Sequence, residues 1–307
     1  MTAPALTPAP QPPPAVDPRR AILFMLAGVS LFPFLNAAAK YLTQTYPLTE
    51  VIWARFFGHL LFVLLIFAPR LGLLRLFQTR RPALQLSRSV LMATSTFLFI
   101  VALQSLPLAT ASAIGFTAPL IVTALSVPLL GESVGWRRWS AVGVGFVGAL
   151  IIIRPGPGFA EWSSLLILGS ASCYALYQIF TRKIGTIDRA ETTIAYAAVV
   201  GTIALSCVVP FAWKTPQTLW HALLFLCLGA FGGLGHFFVI KAFQLYRAAV
   251  LAPLSYAELI GASALGYLIF GSFPDALTWL GAGVVIASGV YTFHREAVRR
   301  RERRRES

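Results

Sequence analysis

Apolar residues in this chain come in runs of about twenty, parted by short polar stretches, and a run of that length is what an α-helix needs to cross the hydrocarbon core of a bilayer. The pattern places helices over 21–40, 50–68, 85–105, 108–130, 136–153, 162–181, 191–212, 219–244, 248–271 and 276–293. The pattern also repeats. Shifted by 140 positions, Ala102, Gln104, Ala109, Gly131, Trp139, Gly143 and Val144 fall on Ala242, Gln244, Ala249, Gly271, Trp279, Gly283 and Val284. The register extends backwards with small slips, Lys40 meeting Arg182 at an offset of 142 and Glu50 meeting Glu191 at 141. One unit of five helices is therefore written twice. Because five is odd, the copies enter the membrane from opposite sides, the inverted-topology arrangement common in secondary transporters.

The fold class that follows is an all-α polytopic membrane protein, with ten transmembrane helices in two inverted five-helix repeats over 21–154 and 162–294. Residues 1–20 are read as a disordered tail, since Met1 to Pro18 holds seven prolines and no apolar core. Arg19-Arg20 ahead of the first apolar run resembles the start of a signal peptide. That run is too long for a cleaved segment and is read as the first span.

Composition supports a membrane setting. At 57% hydrophobic and 12% charged, with a mean hydropathy of +0.74, the chain has too little polar surface to cover a soluble globule. A net charge of +14 raises the question of nucleic acid, but the basic residues are scattered between apolar runs, so no nucleic-acid partner is expected. Their placement sets topology instead. With the N-terminus inside, twenty lysines and arginines fall on cytoplasmic segments and only Lys40, Arg154 and Lys214 fall outside. Both termini should then be cytoplasmic, in the cytoplasmic (inner) membrane of a cell. The basic tail 295–307 lies on anionic headgroups in this reading, making lipids its partners. Cys173, Cys207 and Cys227 sit in apolar runs without CxxC spacing, which predicts neither disulfides nor a metal site.

Ionisable groups inside apolar spans are the candidate chemistry, because intramembrane charge is costly and usually faces a cavity or a partner. These are Arg55, His59, His236, Lys241 and Glu258. Glu258 is the acid nearest the middle of a span. Two readings stand: it binds a substrate cation or carries a proton, or it forms a fixed helix-tying pair with Lys241. Arg55 lies close to the outer surface and is read as structural, snorkelling or capping carbonyls. His59 is read as a packing residue. Tyr174 and Tyr256 lie well inside their spans, where a ring stacks on a planar ligand and a buried hydroxyl needs a partner. Glycines such as Gly229, Gly233, Gly145, Gly148 and Gly281 are read as helix-packing surfaces. Pro33, Pro119 and Pro253 are read as kinks or fixed bends.

Short motifs carry a family resemblance. Lys40-Tyr41-Leu42 closes the first helix, Arg55-Phe56-Phe57 lies in the second, Ala102-Leu103-Gln104 precedes Leu106-Pro107-Leu108-Ala109, and Gly131-Glu132 closes the fourth. In this order they resemble the ten-helix branch of the drug/metabolite transporter superfamily, in which each half is an EamA domain. Lys241-Ala242-Phe243, Ala252-Pro253 with Tyr256 and Glu258, and Phe273-Pro274-Asp275 are similar to bacterial S-adenosylmethionine uptake carriers. Leu254-Ser255 departs from that pattern, where bulkier polar residues are expected. The resemblance implies a central cavity lined by helices 1, 3, 4, 6, 8 and 9, with Asn36, Thr96, Thr117, Tyr174, His236, Tyr256 and Glu258 as substrate-binding residues and Lys241 as charge partner.

The resulting expectation is a carrier that moves a small organic metabolite by rocking its inverted halves, without cofactor or metal. The substrate is S-adenosylmethionine-like, with riboflavin, amino acids and other amphipathic metabolites as alternatives. Without a P-loop its energy comes from a gradient or exchange. An enzyme is disfavoured by the lack of HExxH, GxSxG or paired intramembrane carboxylates. A non-transporting partner subunit and a homodimer stay open.

Overall fold

The computed structural model describes residues 18–131, 135–154, 159–184, 187–246 and 251–306. Of the stretch 1–20 read above as disordered, residues 1–17 lie outside them, as do Glu132 and the stretch 247–250, whereas residues 18–20 are helical and open the first span. The helices are α1 (Pro18–Leu42), α2 (Leu48–Leu71), α3 (Pro82–Leu103), α4 (Leu108–Leu130), α5 (Trp136–Ile153), α6 (Phe159–Ile184), α7 (Ala190–Ser206), α8 (Leu219–Leu245), α9 (Glu258–Phe270) and α10 (Ala276–Glu306). Among the described residues nine helices are long and apolar enough to cross a membrane, and Leu254–Phe270 is a shorter apolar tenth.

Two spans are broken where the sequence pattern runs on. The fourth stops at Gly115 and restarts at Ala118, with Pro119 in its new first turn; the ninth begins as a 3-10 helix, Ala252–Ala257, and becomes α-helical at Glu258. Ala118 and Glu258 are equivalent at the 140-residue offset, so both repeats interrupt the same helix at the same place. A proline cannot donate to the preceding turn, and a broken helix is tolerated at membrane depth only where it is buried or lines a cavity. The last helix is longer than its apolar run. Its 31 residues reach about 46 Å at 1.5 Å per residue, beyond a hydrocarbon core, so α10 carries the arginine-rich tail out of the bilayer as helix.

The repeats interlock rather than sit side by side. α1 packs along α8, and its counterpart α6 along α3; α2 packs on α7, and α5 on α10. Each of these pairs joins a helix of one repeat to one of the other.

Small residues permit the closest crossings. A Cβ added to Gly229 would lie 2.3 Å from the Gly58 Cα, so α8 and α2 touch backbone to backbone. Gly148 of α5 and Gly281 of α10 meet in the same way, each Cβ falling under 3.0 Å from the other's carbonyl oxygen. With lipid as apolar as leucine, such close packing is what holds the bundle.

The perimeter is apolar, with Leu65, Leu226, Ile260 and Leu268 at least two-thirds exposed. Trp136, Trp162, Trp213 and Trp220 are exposed at or just beyond helix ends, the depth of a membrane-water interface. The chain is a multi-pass membrane protein.

Candidate functional site

A cavity of about 360 Å³ lies at the centre of the bundle. Successive turns of α1 face it through Val29, Phe32 and Asn36, and α6 offers Ala171, Tyr174 and Gln178, the same positions 142 residues on. α3 and α8 contribute a second set of equivalents, Thr96 with His236 and Phe99 with Val239, at the offset of 140. The two broken helices supply Gly115 and Ala118 from α4, and Ser255 and Glu258 from around the start of α9. Duplication thus builds a near-symmetric lining in which Glu258 of one copy stands where the other has Ala118.

Glu258 stands at the break, where a 3-10 turn passes into α9, and is partly open to the cavity. Asn36 Nδ2 lies 3.5 Å from its Oε1, and Arg55 of α2 lines the same cavity. Tyr174 of α6 is on that lining too. One turn further along α2, His59 stacks on His236 with ring centroids 5.9 Å apart and planes 11° from parallel. His59 is buried, and its Nε2 has no hydrogen-bond partner among the described residues. Phe32 lies against the other ring at 5.2 Å. The chamber therefore offers the carboxylate of Glu258, the guanidinium of Arg55 with those of Arg138 and Arg182 nearer its mouth, the amides of Asn36 and Gln178 and several aromatic faces, a set suited to a planar ligand with charges of both signs.

Five of the seven residues proposed from sequence, Asn36, Thr96, Tyr174, His236 and Glu258, come together on this lining. Thr117 does not. It is fully buried in the break of α4, where its Oγ1 donates to Ile114 O at 2.8 Å, the backbone bond that a lone hydroxyl readily makes. Tyr256 also points elsewhere. Its ring stands edge-on to Phe116 at 5.0 Å, and its hydroxyl occupies the space where a side chain at Gly289 of α10 would lie. Lys241 is not on the lining; its Nζ sits over the Phe237 ring at 5.8 Å.

Arg55, read from sequence depth as a group near the outer surface, is placed by the structure on the cavity lining. Height along a helix was legible, but which face of α2 met the centre was not. The available signal was the pair Arg55 and His59 at helical spacing, polar on one face of an apolar helix. Gln178 and Arg182 were readable too, as the repeat equivalents of Asn36 and Lys40.

The chamber is one-sided. Towards the face that holds the described chain ends its lining continues through Pro119, Val122, Thr123 and Ser126 of α4, Arg138 of α5 and Arg182 of α6. The equivalent residues of the other repeat, Leu259, Ala262, Ser263 and Gly266, are off the lining and buried. The opposite face is also tied by polar contacts. Glu50 Oε2 accepts from Lys214 N at 3.1 Å, Tyr46 bonds His221 Nδ1 at 2.8 Å, and Arg154 pairs with Asp275.

Comparison with known proteins matches this architecture. Over 261 residues the chain is 31% identical to an S-adenosylmethionine uptake transporter of Rickettsia prowazekii, covering 85% of this chain and 88% of that protein. A riboflavin transporter of Rhizobium johnstonii is 30% identical over 299 residues, or 94% and 96% of the two chains. A pseudopaline exporter of Pseudomonas aeruginosa is 27% identical, covering 86% and 93%. A solved crystal structure superposes with a TM-score of 0.66 over 89% of this chain and 96% of its own, at 17% identity, a likeness of fold. Residues 19–154 and 161–293 each match the EamA-like transporter family, and the chain belongs to that family.

Proposed function

We propose that this protein is a secondary transporter that carries a small zwitterionic metabolite with a planar ring, S-adenosylmethionine-like in its chemistry, by alternating access. The observation that carries this reading is Arg55 and Glu258 on the wall of one aromatic chamber, since a half-buried acid and base facing a shared space can each take the opposite charge of a zwitterion. Asn36 and Tyr174 would position the ligand, the first beside the carboxylate and the second through its ring. Neither Thr117 nor Tyr256 is retained as a ligand contact, and Arg55 replaces Lys241 as charge partner. The setting proposed is the cytoplasmic membrane with both termini cytoplasmic, which makes the described state open to the cytoplasm. Relatives that bear uptake and export names share the fold, so the named transport direction of any one of them does not transfer.

A second reading is riboflavin or a similar flat polyol. Phe32, Phe99, Phe116 and Tyr174 on the lining favour it, because an uncharged ring system needs stacking faces more than an ion pair. Proteoliposomes containing only this protein separate these readings. Accumulation of labelled S-adenosylmethionine that excess riboflavin fails to compete supports the first; the reverse preference supports the second. Uptake of neither by correctly inserted protein would remove both.

A further inference from the structure

We propose that Lys40 and Arg182 are the two gate latches of this transporter, repeat-equivalent cations that close opposite faces in alternate states by seating on the same carbonyl turn. Lys40 stands in the last turn of α1, and its Nζ donates to Leu103 O at 2.7 Å and to Leu106 O. These are carbonyls at the end of α3, where no further helical turn supplies donors and the helix dipole is negative. The ammonium also lies 5.4 Å from the centre of the Phe270 ring, in the last turn of α9. One side chain therefore joins the ends of three helices on the closed face.

Arg182 holds the equivalent position on α6, but on the open face, where it is exposed and lines the cavity mouth. The seat exists in its own repeat as well. Leu106 N bonds Ala102 O at 2.9 Å to form the turn that Lys40 occupies, and Tyr246 N bonds Ala242 O at 3.0 Å, the same turn 140 residues on. The carbonyls equivalent to those of Leu103 and Leu106 are those of residues 243 and 246, and Phe270 is matched by Leu130. Exchange of the repeats' conformations moves Arg182 onto that turn and withdraws Lys40 from its own. A guanidinium presents several donors in one plane and can bridge two carbonyls. With leucine in place of a ring, the second seat lacks one contact that the first has, which favours the state seen.

This inference rests on the transport reading, yet the two fail separately, because thiol labelling reports conformation and proteoliposome uptake reports transport. The experiment uses full-length protein with Cys173, Cys207 and Cys227 replaced by alanine, purified in detergent so that a maleimide reaches both faces. A single cysteine is placed at Val122, on the open lining, or at its repeat equivalent Ala262, fully buried on the closed side. Lys40→Met should raise the labelling rate at position 262 by about fivefold or more and lower it at 122, as a shift in population requires. Adding Arg182→Met should reverse both changes, and Lys40→Arg should keep the parent rates. A change under about twofold at 262, or a shift that Arg182→Met leaves in place, would overturn the latch pair. Both rates rising together would mark a loosened protein and count against it equally.

Discussion

At the scale of single residues, the proposed function assigns selection of the ligand to the carboxylate of Glu258 and the guanidinium of Arg55. Glu258→Gln keeps shape and hydrogen bonding while removing charge. The protein should insert and melt close to the parent, whereas uptake falls by about tenfold or more, the effect of losing roughly 1.4 kcal/mol of binding. Addition of Lys241→Met should not restore uptake. Recovery in that double variant would mean a fixed pair with Lys241 after all. Thr117→Val supplies the contrast. It removes a single backbone bond away from the lining, so it should cost about 1 kcal/mol of stability at most and leave substrate affinity unchanged in a binding titration.

At the scale of helices, contact between backbones sets the tolerances. A side chain at Gly229 would collide with the Gly58 backbone, so Gly229→Val should separate α2 from α8 and destabilise the bundle by about 1–3 kcal/mol, read as an earlier melt in detergent. Gly143→Ala on α5 meets nothing within 4 Å and should be neutral or slightly stabilising in the same assay.

The loop between α6 and α7 adds a pH dependence. Burial of the Asp188 carboxyl pushes its pKa up, but hydrogen bonds from Thr79, Gln85 at 2.9 Å and the Arg80 N–H at 3.3 Å outweigh it and hold the group below the usual aspartate range. A depressed folded pKa means this contribution is present above about pH 4 and lost as pH falls through the folded value. Asp188→Asn should therefore flatten the acid limb of a melting-temperature profile while changing neutral stability by only about 1 kcal/mol. An unchanged acid limb would remove Asp188 from that role.

For the whole molecule, inverted halves and basic loops predict a sidedness. A cysteine at Ser272, in the turn between α9 and α10, should react with an impermeant reagent added outside intact cells, and one at Gln78, between α2 and α3, should not. Labelling at position 78 would overturn the proposed orientation. Removal of Arg299 to Ser307 takes away charge that lies past the apolar part of α10, so inserted protein should transport at the parent rate.

Hydrophobic runs, the repeat offset and the intramembrane charges were enough to specify ten helices, two inverted copies and a carboxylate that the fold places on the cavity lining. These are consequences of chain length against bilayer thickness, of parity and of the cost of charge in lipid, all of which are local in sequence. The breaks at Phe116-Thr117 and before Glu258 were marked by prolines, but proline alone does not distinguish a bend from an interrupted helix. Rotation of each helix about its own axis was beyond reach, because apolar side chains face both lipid and core in a membrane bundle and the hydrophobic face no longer identifies the inside. That rotation is what turned Arg55 inward, aimed Tyr256 at Gly289 and carried Lys40 onto the end of α3. Tertiary packing of one repeat into the other set those directions, since only a neighbour's glycine, carbonyl or carboxylate makes one face of an apolar helix better than the next.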